Sequence, residues 1–136
     1  MRAHSVLQRE LAEVLSPRGL TLNDFEALYH LSRAEDNRLR RIDLAELLML
    51  SPSGVTRLLD GLVETGLIEN VHCASDARVT WARLTATGSE TLECVGVNHA
   101  ESLRRLFRET LSDDEVASLT ELLARIPGVD AGSCVG

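Results

Sequence analysis

The stretch Ser51-Pro52-Ser53-Gly54-Val55-Thr56-Arg57-Leu58-Leu59-Asp60 decides how this chain is read. Ser51 is a strong N-cap, and Pro52 suits a first helical turn because its missing N–H would have no partner there. Val55, Leu58, Leu59 and Leu62 then recur at helical spacing, and Gly66 supplies a left-handed residue to end the helix. The opposite face is small and polar until Arg57. A helix that opens this way fits a major groove of duplex DNA, where an arginine can fork onto a guanine edge.

The neighbouring residues support that reading. Upstream, Ile42 to about Leu48 forms a short helix with Leu44, Ala45, Leu47 and Leu48 as its core. Only Met49, Leu50 and Ser51 separate the two helices, which is helix-turn-helix spacing. Downstream, Leu67–Val71 and Val79–Leu84 are strand-like runs around the polar turn Cys73–Ala77, and together they predict a two-stranded wing. Asp76 and Arg78 stand at its tip, where an arginine can reach a flanking minor groove. Arg40 and Arg41, just before the short helix, are further candidates for the DNA backbone.

Beyond this centre the chain is helical. Residues 3–15 carry the stripe Leu7, Leu11, Val14 and Leu15 and end near Pro17-Arg18-Gly19. Thr21 with Asp24 resembles a capping box and opens a helix to about residue 33, with Phe25, Leu28 and Leu31 or Tyr29 inward. Residues 33–38 read as a charged loop. Thr85 caps a long helix to about Glu109 with the stripe Leu92, Val95, His99, Leu103 and Leu106. Ser112-Asp113-Asp114-Glu115 is a full capping box before a last helix bearing Val116, Leu119, Leu123 and Ile126, and residues 127–136 are expected to fray. Residues 20–85 complete a compact core by themselves, so the stripes of the first, fifth and sixth helices need another partner. A second copy supplies it: the expected assembly is a two-fold homodimer addressing half-sites about 34–36 Å apart on double-stranded DNA.

Composition sets the bounds. With 136 residues, 44% hydrophobic but 3% aromatic, the core must be aliphatic. No apolar run is long enough to cross a membrane, and Met1–Ser5 leads into Gln8-Arg9-Glu10 without a signal peptide's apolar centre, so a cytoplasmic protein is expected. The net charge of −7 is unevenly spread: residues 1–37 carry −2, residues 38–83 carry zero and residues 84–136 carry −5. The acidity therefore lies away from the proposed reading surface. Every basic side chain is Arg and none is Lys, which fits a compositional bias as well as a need for forked contacts.

Cys73, Cys94 and Cys134 have no metal-ligand spacing, and neither Cys73 nor Cys94 has an arginine next to it in sequence. They read as ordinary small residues. His4 and His99 lie on apolar stripes and read as interface histidines. There is no Gly-x-Ser-x-Gly elbow, His-Glu-x-x-His pair or phosphate loop, so no enzyme, cofactor or metal site is expected.

The order of these elements resembles the MarR family of bacterial winged helix-turn-helix transcription regulators. The resemblance runs through Leu44-Ala45-Glu46-Leu47-Leu48, Ser51 to Leu62, Gly66-Leu67-Ile68, Asp76-x-Arg78 and Leu84-Thr85-x-x-Gly88, within residues 20–130. It implies a mainly α fold with a small two-stranded β-wing, a single domain flanked by dimerisation helices at 1–16 and 86–126, and a homodimeric repressor. It also implies release from a pseudo-palindromic operator by a small aromatic or carboxylate effector, or by an oxidant. Carried onto this chain, base and backbone contacts fall to Pro52, Ser53, Gly54, Thr56, Arg57, Asp76 and Arg78, and an effector pocket would draw on Tyr29, His30 and Trp81. The chain departs from the family at Gly61, Glu69, Asn70 and Ala77, where basic residues are common, so a shallow salt dependence of binding is expected. The competing reading from the residues is a winged-helix protein-interaction module without a DNA role.

Overall fold

The structure, a computed structural model, describes residues 2–73 and 76–126. In chain order the elements are α1 (Arg2–Leu15), α2 (Leu22–Arg33), β1 (Arg38–Arg40), α3 (Arg41–Leu47), α4 (Pro52–Glu64), β2 (Ile68–Cys73), β3 (Asp76–Leu84), α5 (Ala86–Thr110) and α6 (Asp113–Leu123). Contacts divide the chain into two units, Met1–His99 and Ala100–Gly136.

The helix boundaries follow from their caps. Thr21 and Asp24 form the reciprocal capping box of α2, with the Thr21 N–H 2.8 Å from Asp24 Oδ2. Ser112 and Glu115 do the same for α6. At the end of α4, Gly66 adopts φ 73°, its N–H donates to the Val63 carbonyl, and the Leu67 N–H donates to the Leu62 carbonyl. That pair is a Schellman closure. The turn between α3 and α4 closes in the same way, Met49 N–H to Glu46 and Leu50 N–H to Ala45. Here the left-handed residue is Met49 (φ 52°), which has no glycine's freedom and lies 93% exposed.

The first unit is built on one aliphatic core. Leu15, Leu28, Leu31, Leu44, Leu59, Ile68 and Val95 are its fully buried members, drawn from α1, α2, α3, α4, β2 and α5. Each such side chain contributes about 1.5–3 kcal/mol relative to exposure. Leu44, Ala45 and Leu48 lie in this core, but Leu47 points out to solvent, against expectation. At helical spacing Leu44, Ala45 and Leu48 share one stripe, and Leu47 lies about 100° from its centre. The side chains of Leu7, Leu11 and Val14 lie outside the described residues, as does the expected fraying of 127–136.

The wing has a third strand. The sheet order is β1-β3-β2, both pairings antiparallel, with Leu39 opposite Ala82 and Arg40 opposite Trp81. The expected loop thus ends at Arg38, and the two-stranded hairpin becomes a small three-stranded sheet. Arg-Leu-Arg has no strand character of its own; pairing with β3 confers it.

Gly88 is where α5 meets this sheet. A Cβ there would overlap the Leu67 carbonyl oxygen and stand 2.7 Å from Leu84 Cδ1. Thr85 completes the junction: its N–H donates to the Leu67 carbonyl at 3.1 Å, and its hydroxyl lies 2.7 Å from the Gly66 carbonyl while accepting from the Gly88 N–H at 3.0 Å. The Leu84-Thr85-x-x-Gly88 motif therefore has a physical cause, a backbone-to-backbone approach that only glycine permits.

In the second unit, the last turns of α5 are followed by α6, which buries none of its residues. Leu122, Leu123 and Ile126 are 56%, 45% and 50% exposed. A hollow of about 470 Å³ opens here beside Leu111, Leu119 and Leu122, rimmed by Asp114 and Glu115.

Candidate nucleic-acid interface

Helix α4 separates its two faces cleanly. Val55, Leu59 and Leu62 are buried, while Ser51, Pro52, Ser53, Thr56, Arg57 and Asp60 are exposed. Ser51 Oγ accepts the Gly54 N–H at 3.1 Å and lies 3.2 Å from Ser53 Oγ. The Thr56 hydroxyl donates to the Pro52 carbonyl at 2.9 Å, so its proton is turned back into the helix and its lone pairs face out. A Cβ on Gly54 would stand 3.2 Å from Ser51 Oγ. Gly54 thus leaves room for the capping hydroxyl as well as for an approaching backbone. Arg57 makes no hydrogen bond or ion pair among the described residues, and all of its donors are open to a ligand.

The other candidate arginines are less free. Arg40 grips Asp43 with both Nε (2.7 Å) and Nη2 (2.8 Å), and that carboxylate raises its already high pKa. Arg41 turns inward: its Nη2 lies 3.1 Å from Asn70 Oδ1 and 3.6 Å from Asp60 Oδ1, and its Nε is buried with no partner. Arg83, which sequence reasoning did not single out, pairs with Glu69 across β2 and β3 at 2.8 Å. Asp76 and Arg78 belong to β3, and their side chains lie outside the described residues, as does that of Cys73.

This geometry, an exposed helix after a tight turn with a small sheet beside it, is matched in known proteins. The model of the MarR family matches residues 18–79. The multiple antibiotic resistance protein MarR of Salmonella typhimurium is 30% identical over 118 residues, covering 87% of this chain and 81% of that protein. The crystal structure of AbsC, a MarR family transcriptional regulator from Streptomyces coelicolor, superposes with a TM-score of 0.80 at 34% identity, over 90% of this chain and 82% of that one. A mutant MarR from E. coli complexed with operator DNA gives 0.77 at 29% identity, over 88% and 84%.

The chain belongs to the MarR family.

It is accordingly a winged-helix, DNA-binding transcription regulator and not an enzyme. No helix among the described residues is long and apolar enough to cross a membrane. In this MarR-family chain the expected effector residues fall into separate pairs. Tyr29 meets His30 edge-on at 5.9 Å between ring centroids, whereas Trp81 carries the Arg38 guanidinium 5.2 Å over its ring. Two further contacts were invisible in the sequence. Arg18 Nη2 lies 2.9 Å from the sulfur of the exposed Cys94, supplying the neighbouring cation that sequence adjacency does not show. His99 stacks on Phe25 at 4.7 Å, and its Nδ1 is buried without a partner.

Proposed function

We propose that this protein is a cytoplasmic homodimeric repressor whose α4 lies in the major groove of a pseudo-palindromic operator. The observation that carries this reading is the unpaired Arg57, exposed with Ser53 and Thr56 one turn apart on α4 while the opposite face is locked into the core. Pro52, Ser53, Gly54 and Thr56 set the backbone approach, and Arg57 reads a base. Arg40 offers phosphate whatever donors Asp43 leaves, while Arg78, oriented by Asp76, addresses the minor groove. Arg41 is not among these contacts. The uncovered apolar side chains of α6 support assembly with a second copy. A small aromatic or carboxylate effector, taken up near Tyr29, His30 or the Arg38-covered Trp81, or oxidation of a cysteine, would release the DNA.

Selection of duplexes from a random-sequence library tests the reading. The wild-type dimer is expected to enrich an inverted repeat with half-sites about one helical turn apart. Arg57→Ala should weaken binding to it by about 1–3 kcal/mol and relax preference at one base pair in each half. An equal loss on every sequence would make Arg57 a phosphate contact instead, and no enrichment would remove α4 from the reading surface.

A further inference from the structure

We infer that Arg41 is a positioning residue that sets the rotation of α4 against the wing, acting through Asp60 and Asn70 and not through DNA. The inference rests on α4 being the helix that reads DNA. Asp60 follows Arg57 by one turn on the same exposed face, so whatever fixes Asp60 about the helix axis also aims Arg57. Val55, Leu59 and Leu62 hold one face of α4 to the core, and a polar contact on the exposed face adds a second point of attachment. Arg41 supplies that contact. One nitrogen, Nη2, reaches both Asp60 on α4 (3.6 Å) and Asn70 on β2 (3.1 Å), while Arg41 itself opens α3. Three elements of the reading head thus converge on a single guanidinium group. The side chain is only 25% exposed and its Nε is fully covered, so reaching a phosphate would mean abandoning both partners.

A strut and a phosphate ligand respond oppositely to loss of Asp60. If Arg41 were a DNA contact restrained by Asp60, Asp60→Asn would free a cation, remove a negative charge from the interface and tighten binding. If Arg41 is a strut, Asp60→Asn loosens α4 and weakens binding. Surface ion pairs of this kind add little to folding free energy, and Asp60 is 58% exposed, so the variant remains folded.

The experiment measures binding of wild type, Asp60→Asn, Arg41→Gln, Arg41→Lys and the Asp60→Asn/Arg41→Gln double variant. The probes are the library-selected duplex and a scrambled duplex of equal length, each across a salt series, with thermal unfolding measured in parallel. Each single variant is expected to lose roughly three- to tenfold on the selected duplex, with the double variant no weaker than the worse single one. Arg41→Lys should fail to rescue, since its ammonium group ends one bond short of the position of Nη2, which makes both contacts. The slope of log affinity against log salt should not move, and the scrambled duplex should lose no affinity in Asp60→Asn. Tighter binding by Asp60→Asn, or a slope reduced by about 1 in Arg41→Gln, would overturn the inference and make Arg41 a phosphate ligand. Unchanged affinity in Asp60→Asn and Arg41→Gln would overturn it as well. Failure to select any duplex would instead overturn the reading of α4, and the strut with it.

Discussion

His99 illustrates what one residue in an apolar stripe can conceal. The sequence places it on the inward face of α5 and suggests a partner in a second copy, but its ring packs on Phe25 of the same chain. Burial lowers its pKa below the ordinary 6.5, because the charged ring would lose water and gain no acceptor. The unfolded chain therefore binds more protons than the folded one once pH falls toward and below 6.5, so this residue's contribution is complete above that value and declines in acid. His99→Phe keeps the ring and removes the titration. Urea midpoints measured from pH 7.5 to 5 should fall less steeply for the variant than for wild type, and parallel curves would remove His99 from the acid response. The Arg18–Cys94 contact was illegible for a different reason: 76 residues separate the two, and only the packing of α5 beside the turn after α1 joins them. Arg57 was legible because its chemistry is local, a free cation one turn beyond a capped start.

At the scale of elements, caps were read most securely and charged short segments least. Thr21-Asp24, Ser51 and Ser112-Glu115 each announce a helix start through hydrogen bonds within four residues. By contrast, β1 exists only because β3 lies alongside it, and Leu47 faces out because it lies off the stripe of Leu44, Ala45 and Leu48, a choice that so short a segment leaves open in the sequence. Two junctions give sharp expectations. Gly88→Ala drives a methyl group into the Leu67 carbonyl, where backbone on both sides resists movement, and should cost about 1–3 kcal/mol in denaturant unfolding. A loss within error would mean that α5 can tilt away freely. Met49→Gly works in the other direction. It relieves a left-handed side chain that buries nothing, and the larger entropy of an unfolded glycine offsets part of that gain. The expected net stabilisation, up to about 1 kcal/mol, would appear as a raised Tm.

For the whole molecule the decisive quantity is uncovered apolar surface. The first unit closes its own core, whereas α6 leaves Leu122, Leu123 and Ile126 half in water. The sequence anticipated this only in part: residues 20–85 were expected to complete the core alone and the first, fifth and sixth helices to need another partner, but Leu15 of α1 and Leu92 and Val95 of α5 are buried in that core, while the last helix keeps its apolar side chains exposed. Burying a charge in that seam should separate the copies. Leu122→Arg is expected to shift sedimentation from dimer toward monomer and to raise the protein concentration needed for half-saturation of the selected duplex at least tenfold, while helix content by circular dichroism stays unchanged. A variant that remains dimeric would place the seam elsewhere.

The Leu67 carbonyl has a mechanical consequence. It takes the N–H of Thr85 directly, it sits against Gly88 with no room for a methyl group, and its own residue closes the Schellman turn of α4. The opening turn of α5 and the tail of α4 are thereby tied to one residue, whose N–H ends the helix and whose carbonyl seats the next. Turning the first against the second would break the Thr85 hydrogen bond or press Gly88 into that carbonyl, as forcing a handle without its door strains their common spindle.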